Sequence, residues 1–314
     1  MLRYALCHGL AAKGDMRKKL TLLVLLLGYT LAAQAMPDDA AMYGQPGEPV
    51  DPVPRYASAP RLSSAIALIY DEQSGRSLYS KNADAVVPIA SITKLMTAMV
   101  LLDAQLPLDE EIIISARDLD RHKGTTSRMR PGMVLQRGEL LKLALMASEN
   151  RAAAALARTY PGGTEVAVAM MNAKARNLGM WNTRFHDATG LHRANVSSAR
   201  DLVKMLVAAQ RYDLIQRYST APSHLVETRG SRPLRFGNTN PLVKNASWDI
   251  GLSKTGYISE AGRCLVMRAN IAQRPVIIVL LDSWGKKTRV GDANRIKKWM
   301  ENPSTRGRGI TRRS

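Results

Sequence analysis

The stretch that decides the fold reads Pro88-Ile89-Ala90-Ser91-Ile92-Thr93-Lys94-Leu95-Met96-Thr97-Ala98-Met99. Its apolar residues at 92, 95, 96 and 99 have the spacing of one buried helix face, which predicts a helix that begins at Ser91. Residues three apart are neighbours on a helix, so the Ser91 hydroxyl and the Lys94 amine can meet there. The two side chains form a candidate nucleophile and base.

A serine hydroxyl is a weak nucleophile at neutral pH and needs a base to take its proton. Lys94 can serve only as a neutral amine, a form that burial or a second positive charge favours by lowering the pKa. Backbone N–H groups at a helix start can also face a developing oxyanion. The same spacing is nevertheless found in ordinary helix starts with a solvated lysine. It recurs at Ser283 and Lys286, where a strand end and a turn are predicted.

The first 35 of the 314 residues have a basic start, an apolar run and the ending Ala33-Gln34-Ala35. This pattern is typical of a cleaved signal peptide, with Met16 as an alternative start. The apolar run is shorter than the ~20 residues that a membrane-spanning helix needs. We therefore predict export to the periplasm. Cys264 would then have no internal disulfide partner, and we expect it to be a buried small hydrophobe.

The chain has 45 Lys+Arg against 26 Asp+Glu, and removal of five basic residues and one acidic residue with the signal leaves 40 against 25. This surplus suits peripheral contact with a membrane or an anionic wall polymer. Export, and the lack of an aromatic-interleaved basic motif, argue against nucleic acid. The predicted segments are a signal peptide (1–35), a flexible leader (36–60), a folded domain (61–301) and a basic disordered tail (302–314).

Hydrophobic patterns predict an α+β fold with one antiparallel sheet, helices on its faces and an inserted helical region. The sheet combines an early hairpin with three late strands joined by short turns. Ser198 is predicted to cap a helix that runs through Gln210. The predicted elements are a hairpin (65–70 and 76–80), short strands (112–114 and 133–135), a helical region (138–179) broken after Asn150 and at 161–163, late strands (248–257, 262–271 and 275–281) and a closing helix (291–300).

Two further triplets carry groups that suit acyl transfer. Ser148-Glu149-Asn150 follows an apolar, buried helix, where its polar side chains either cap a helix break or line a cleft. Lys254-Thr255-Gly256 lies on the first late strand and offers a cation, a hydroxyl and open backbone to a carboxylate, although a strand that runs into a turn explains it too. Each triplet alone is weak evidence.

The order and spacing of the three motifs form a specific pattern: Ser91-x-x-Lys94, then Ser148-x-Asn150 57 residues later, then Lys254-Thr255-Gly256 after a further 106. This set resembles the serine-lysine enzymes that act on D-alanyl-D-alanine, namely penicillin-binding proteins and class A β-lactamases. From about residue 63 to 300 the chain looks most like the D-alanyl-D-alanine endopeptidase branch of the low-molecular-weight penicillin-binding proteins. Asp187-Ala188-Thr189-Gly190-Leu191 and Asn238-Thr239-Asn240 belong to the same resemblance.

The resemblance implies a β-lactamase/transpeptidase-like fold and a set of catalytic roles. Ser91 would be the acylated nucleophile and Lys94 the base that deprotonates it. Ser148 would relay a proton to the leaving amine. The backbone N–H groups of Ser91 and Tyr257 would form the oxyanion hole.

The remaining implied roles concern the substrate. Asn150 would orient Lys94 and the substrate amide, and Lys254 with Thr255 would hold the substrate carboxylate beside Gly256. Lys254 would also supply the second positive charge that keeps Lys94 neutral. No cofactor or metal is expected, since His186, Asp187 and His192 coincide with a family segment and no His-Glu-x-x-His helix is present.

The implied activity is cleavage of peptidoglycan peptide crosslinks, with β-lactam antibiotics as covalent inhibitors. The alternatives are a carboxypeptidase that trims terminal D-alanine and, in a different class, a non-catalytic wall-binding module. The related carboxypeptidases usually carry a second β-rich domain after the closing helix, which favours the endopeptidase here. The Glu-x-x-Leu-Asn loop of β-lactamases is missing, since Glu165 is followed by Val166-Ala167-Val168-Ala169. Penicillin is therefore expected to remain bound.

Overall fold

The structure, a computed structural model, describes residue 56 and residues 58–121, 123–227 and 232–302. The predicted signal peptide lies outside these residues, as do most of the predicted leader and tail, so those boundaries stay predictions. Within the described ranges, no helix combines the length and the apolar character that crossing a membrane requires.

Among the described residues, the five longest strands form one antiparallel sheet, and six shorter strands form three two-stranded sheets. In chain order they are β1 (Ile66–Asp71), β2 (Arg76–Lys81), β3 (Val87–Pro88), β4 (Glu111–Ile113), β5 (Val134–Gln136), β6 (Val196–Ser197), β7 (Ser223–Val226), β8 (Leu234–Gly237), β9 (Asp249–Ile258), β10 (Gly262–Ile271) and β11 (Arg274–Ser283). The main sheet has the order β2-β1-β11-β10-β9. The predicted union of the early hairpin with the three late strands is confirmed.

Helices cover both faces of this sheet. In chain order they are α1 (Thr93–Asp103), α2 (Arg137–Met146), α3 (Asn150–Arg158), α4 (Gly163–Asn177), α5 (Ala199–Ala209), α6 (Asp213–Ser219) and α7 (Thr288–Glu301). Alternate residues of β10 pack into two separate clusters, with Val266 on the side of α1 and Leu265 on the side of α7. Because both faces are covered, the central strands are apolar at nearly every position.

Helix α1 lies at the centre of the molecule. Its predicted apolar face is buried, and so is the opposite side, since every residue from 93 to 101 is buried. The reason is that α1 contacts α2, α3, α4, α5 and α6. A helix surrounded in this way carries Lys94 into the interior.

The predicted helix break after Asn150 is wrong by one turn. Helix α2 ends at Met146, and α3 begins at Asn150 itself. The backbone N–H groups of Ala147 and Glu149 both bind the Leu143 carbonyl and close α2, while Ser148 has a positive φ of 59°. Ala147, Ser148 and Glu149 therefore form the break, and Asn150 is the first residue of α3.

Two smaller features of the predicted fold are also present in the structure. Strands β4 and β5 pair as the short apolar runs predicted, and the Ser198 hydroxyl caps α5 by accepting from the Asp201 backbone. The hairpin β7–β8 and the two-residue pair β3–β6 were not predicted. These strands are too short to produce a period-two pattern.

Candidate active site

Ser91 lies in a 3-10 turn, Ala90–Ile92, immediately before α1. The predicted helix start is therefore two residues early for the α-helix itself. Ala90 has a positive φ of 48°, a strained conformation for a residue with a side chain. The turn is held from outside because the backbone N–H of Ile89 donates to the carbonyl of Asn195. Ser91, the middle residue of this turn, is 8% exposed.

Two glycines allow the backbone around Ala90 and Ser91 to pack closely. A Cβ on Gly190 would lie 2.1 Å from the Ala90 carbonyl oxygen. One on Gly256 would lie 2.9 Å from the Ile89 carbonyl oxygen and 3.1 Å from the Ser91 nitrogen. Gly256 lies on β9, the outer strand of the main sheet. The 3-10 turn is thus in contact with both β9 and the 187–191 loop.

The Lys94 amine makes three short hydrogen bonds in the interior. Its Nζ lies 2.7 Å from Ser91 Oγ, 2.7 Å from Asn150 Oδ1 and 2.6 Å from the Thr189 carbonyl oxygen. Lys94 itself is only 1% exposed. A neutral amine has two N–H groups, so donation to Asn150 and Thr189 leaves its lone pair facing the Ser91 hydroxyl.

Burial lowers the pKa of Lys94 from 10.5 to about 7, while the charges of Asp187 and Glu149 act in the opposite direction. Burial also lowers the pKa of Lys254 well below its ordinary value, helped by repulsion from Lys94 and Arg289. Burial, one of the two causes considered from the sequence, is thus the largest cause of the lowered Lys94 pKa, and a contribution from the Lys254 charge stays a prediction. At neutral pH a substantial fraction of Lys94 is uncharged.

A second amine and hydroxyl meet beside the first pair. Lys254 Nζ donates to Ser148 Oγ at 2.7 Å and to the Thr255 carbonyl at 3.0 Å. Ser148 lies at the break between α2 and α3, where its backbone has a positive φ. The charge of Lys94 contributes to the lowered pKa of Lys254. The sheet and the helical region thus each contribute one member of this pair.

Asn150 is fixed from both ends of its amide. Its Oδ1 accepts from Lys94, and its Nδ2 donates to Thr125 Oγ1 at 3.0 Å. Thr125 in turn donates to the Asp120 carboxylate at 2.7 Å. This chain of bonds sets the amide orientation, so the oxygen faces Lys94.

The third motif lines the edge of β9. The Thr255 hydroxyl donates to Thr239 Oγ1 at 2.6 Å, which brings the Asn238-Thr239-Asn240 segment to the site. Tyr257 follows Gly256 and is 56% exposed. Because Gly256 packs against Ser91, the two backbone positions predicted for the oxyanion hole lie on neighbouring segments.

The 187–191 loop supports Lys94 in a way that the sequence analysis missed. The Asp187 carboxylate accepts from the backbone N–H groups of Thr189, Gly190 and His192 at 2.6–2.9 Å. Asn195 is fully buried and donates to Asp187 at 2.9 Å and to Thr93 at 3.1 Å. These bonds hold the Thr189 carbonyl against Lys94. In the sequence, the one signal for this support was the resemblance of residues 187–191 to the corresponding segment of the penicillin-binding proteins.

Arg289 of α7 is a second residue that the sequence did not single out. It donates to the carbonyls of Gly256 at 3.1 Å and Cys264 at 3.3 Å, and so ties α7 to β9 and β10. Burial lowers the pKa of Arg289, and the charge of Arg263 lowers it further. A cation therefore lies behind the backbone of the Lys254-Thr255-Gly256 motif.

Other candidate residues lie outside this arrangement. Ser283, of the second Ser-x-x-Lys pattern, ends β11 and shares a buried hydrogen bond with Ser64. Cys264 is a buried free thiol whose pKa burial raises to about 11. The rings of His186 and His192 stack 3.9 Å apart. Within the described ranges, no group of three or more His, Cys, Asp or Glu side chains is arranged to hold a metal ion.

Known proteins resemble this chain in sequence and in fold. Residues 54–285 match the family of D-alanyl-D-alanine carboxypeptidases known as peptidase S11. The chain belongs to the peptidase S11 family. The match covers more than half of the sequence and confirms the resemblance drawn from the three motifs.

Similar S11 proteins include two named D-alanyl-D-alanine endopeptidase. The one from Pseudomonas aeruginosa is 52% identical over 241 residues, which are 76% of this chain and 78% of the relative. The one from Escherichia coli is 45% identical over 286 residues, which are 91% of this chain and 88% of the relative.

Solved S11-like structures confirm the predicted fold. A Streptomyces DD-transpeptidase has a TM-score of 0.72 at 29% identity, with 77% of this chain and 98% of that one covered. A Mycobacterium tuberculosis D-alanyl-D-alanine carboxypeptidase has a TM-score of 0.69 at 27% identity, with 78% and 94% covered. The α+β, transpeptidase-like prediction is therefore correct.

Proposed function

We propose that this S11 protein is a serine D-alanyl-D-alanine endopeptidase that cleaves peptide crosslinks in peptidoglycan. The observation that carries the proposal is the buried Lys94 amine, 2.7 Å from the Ser91 hydroxyl, with its pKa lowered to about 7. A base with that pKa can accept the serine proton near neutral pH. The relatives named endopeptidase supply the substrate class.

The proposed reaction begins with attack of the Ser91 oxygen on the D-alanine carbonyl carbon while the hydroxyl proton passes to neutral Lys94. The tetrahedral intermediate then collapses, the C–N bond breaks, and the leaving amine takes a proton through Ser148. An ester remains on Ser91. Water hydrolyses this ester, which releases a peptide acid and restores the hydroxyl.

The other residues of the site bind and orient. Asn150 orients Lys94 and the substrate amide, and Lys254 with Thr255 holds the substrate carboxylate beside the open backbone of Gly256. The backbone N–H groups of Ser91 and Tyr257 stabilise the oxyanion. The close packing of Gly256 against Ser91 supports this pairing, since it sets the two backbones side by side.

β-Lactam antibiotics would acylate the same serine and remain attached. Release needs a base that activates water, as the glutamate of class A β-lactamases does. Glu165, the glutamate after the Ser148-Glu149-Asn150 motif, is exposed in the first turn of α4. This position gives no support to a role in deacylation, so a stable penicillin adduct is the expected product.

The proposed location is the periplasm, after cleavage of residues 1–35. The basic surplus of the chain would favour peripheral contact with a membrane or an anionic wall polymer. Both proposals rest on the sequence pattern alone.

A D-alanyl-D-alanine carboxypeptidase is the second candidate, because the family description carries that name. Both activities use the same acyl-enzyme and differ in what leaves. A non-catalytic wall-binding module is disfavoured, since burying an amine beside a serine costs stability without any benefit to binding.

Mass spectrometry after penicillin treatment tests the chemistry. Wild type should gain one adduct located on Ser91, and Ser91→Ala should gain none. Digestion of purified crosslinked muropeptide dimers then separates the activities. Conversion of dimers to monomers supports the endopeptidase, whereas loss of terminal alanine alone would assign the carboxypeptidase.

A further inference from the structure

An exposed aromatic and cationic surface adjoins the end of β9. Tyr257 is 56% exposed and Trp284 is 92% exposed. The Arg263 guanidinium carbon lies 4.4 Å from the centre of the Tyr257 ring. Lys286 follows closely in an exposed turn. We call these four residues the Trp284 surface.

The register of the sheet makes this surface continuous. Tyr257 pairs with Arg263, and Arg263 pairs with Ser283, the residue before Trp284. Neighbouring strands lie about 5 Å apart, so the surface extends about 10 Å from β9. Thr255 and Tyr257 are two residues apart on one strand and point to the same face. The surface therefore continues outward from the proposed carboxylate-holding residue Thr255.

The charge of this region is positive. Arg263, Lys286, Lys287 and Arg289 lie on its strands, turn and helix start. The nearby acidic residues are Glu260, in the turn between β9 and β10, and Asp282, near the end of β11. Glu260 is already paired, because its carboxylate lies 2.5 Å from Lys123 Nζ. The surface can thus bind anionic groups.

The Lys123–Glu260 ion pair borders this surface. It joins the loop before Thr125, on the Asn150 side of the site, to the turn between β9 and β10. This ion pair bridges the two sides of the site just beyond Tyr257.

The Trp284 side chain has no visible role in folding. With 92% of its surface exposed, it buries almost nothing, and its backbone carbonyl makes the contact with Thr288. A large exposed aromatic side chain beside cations is typical of a recognition surface.

We propose that the Trp284 surface binds the leaving peptide strand of a crosslink. Free carboxylates of that strand would pair with Arg263 and Lys286, while its aliphatic parts pack on Trp284. A carboxypeptidase releases a single alanine, which would end at Lys254 and Thr255 and never reach this surface. The inference rests on the proposed endopeptidase function and names the residues that select crosslinked substrates.

Two substrates and three variants test the proposal. Trp284→Ala and Arg263→Ala are compared with wild type on crosslinked dimers and on monomeric pentapeptides, and penicillin acylation is measured in parallel. Trp181→Ala is the matched control, because Trp181 is 75% exposed in a distant part of the sequence after α4. Each test variant should lower kcat/KM on dimers about tenfold, mainly through KM. Monomer trimming and penicillin acylation should stay within twofold.

The outcomes separate this inference from the proposed function. If wild type cleaves dimers and both test variants do so equally well, the surface has no such role while the endopeptidase stands. An equal loss on dimers, monomers and penicillin would also overturn the inference, since it would reveal damage to the shared site. If wild type trims monomers but leaves dimers intact, the proposed function itself fails.

Discussion

The side-chain amide of Asn195 donates to the Asp187 carboxylate at 2.9 Å, and this pair fixes the loop whose Thr189 carbonyl accepts from Lys94. Asn195 also binds Thr93, in the first turn of α1. The loop and the helix that carries Lys94 are therefore held by one buried amide. Through this connection Asp187 influences both the position and the charge of the base.

Replacing Asp187 by asparagine should move the pH profile of penicillin acylation to lower pH. The Asp187 charge raises the pKa of Lys94 against the larger effect of burial, so its removal lets that pKa fall further. The acylation rate would be measured between pH 5 and 9 by stopped-flow or quench methods.

Asp201→Asn is the control for this experiment. Asp201 is buried, whereas Asp187 is half-buried; like Asp187 it accepts from a backbone N–H, that of Asn182, but it lies on α5. This variant should lose comparable stability without any movement of the profile. A shift of equal size in both variants would contradict the role given to Asp187.

The wild-type acylation rate should rise with pH through about 7 and then level off. The reason is that the proposed base must be neutral and that the pKa of Lys94 is lowered to about 7. Lys94→Met should remove this dependence together with acylation. A rate that keeps rising to pH 10 would instead indicate a lysine with its ordinary pKa.

The stability of the protein should increase with pH between about 7 and 10.5. In this range the folded protein has released the Lys94 proton, whereas the unfolded chain still binds it, so the unfolded state carries more protons. The lowered pKa of Lys254 acts in the same direction. Urea unfolding of wild type and Lys94→Met across this range should show a steeper rise for wild type.

Gly190→Ala should destabilise the protein by about 3 kcal/mol and slow acylation. A Cβ at this position would lie 2.1 Å from the Ala90 carbonyl oxygen, so the backbone next to Ser91 must move. Gly132→Ala is the matched control, since Gly132 has a similar positive φ of 89° with open space around it. Its cost should be only about 1–2 kcal/mol, with acylation unchanged.

Asp292→Asn should lower the free energy of unfolding by about 2–4 kcal/mol without altering penicillin acylation of the folded protein. The buried Asp292 carboxylate accepts from the Ser63 and Ser64 backbones and from Arg295, which ties the segment before β1 to α7. Asp84→Asn provides the comparison, because its pair with Arg200 is exposed and should contribute about 0.5 kcal/mol. Equal costs in the two variants would contradict this assignment.

The sequence predicted the main sheet and the three motifs because both produce regular patterns. Long apolar strands joined by short turns can pair in few ways, and Ser91, Lys94 and Lys254 belong to an ordered set. The helix break was misplaced because Ser148 takes a positive φ, which a non-glycine residue rarely adopts.

Residues that act through hydrogen bonds to the backbone were harder to predict. Asp187 and Asn195 act on N–H groups several positions away, and such hydrogen bonds follow no sequence period. Arg289 reaches Gly256 from a helix 33 residues later. The surroundings of Lys94 also depend on packing of α1 on all sides, so burial as the main cause of its low pKa became visible only in the fold.

The buried thiol of Cys264 has a practical consequence for spectroscopy. It faces no solvent, and burial raises its pKa to about 11, so maleimide reagents should leave the folded protein untouched. The sequence has one further cysteine, Cys7, in the predicted signal peptide. A single engineered cysteine, for example Trp181→Cys, would therefore accept a fluorophore or spin label selectively.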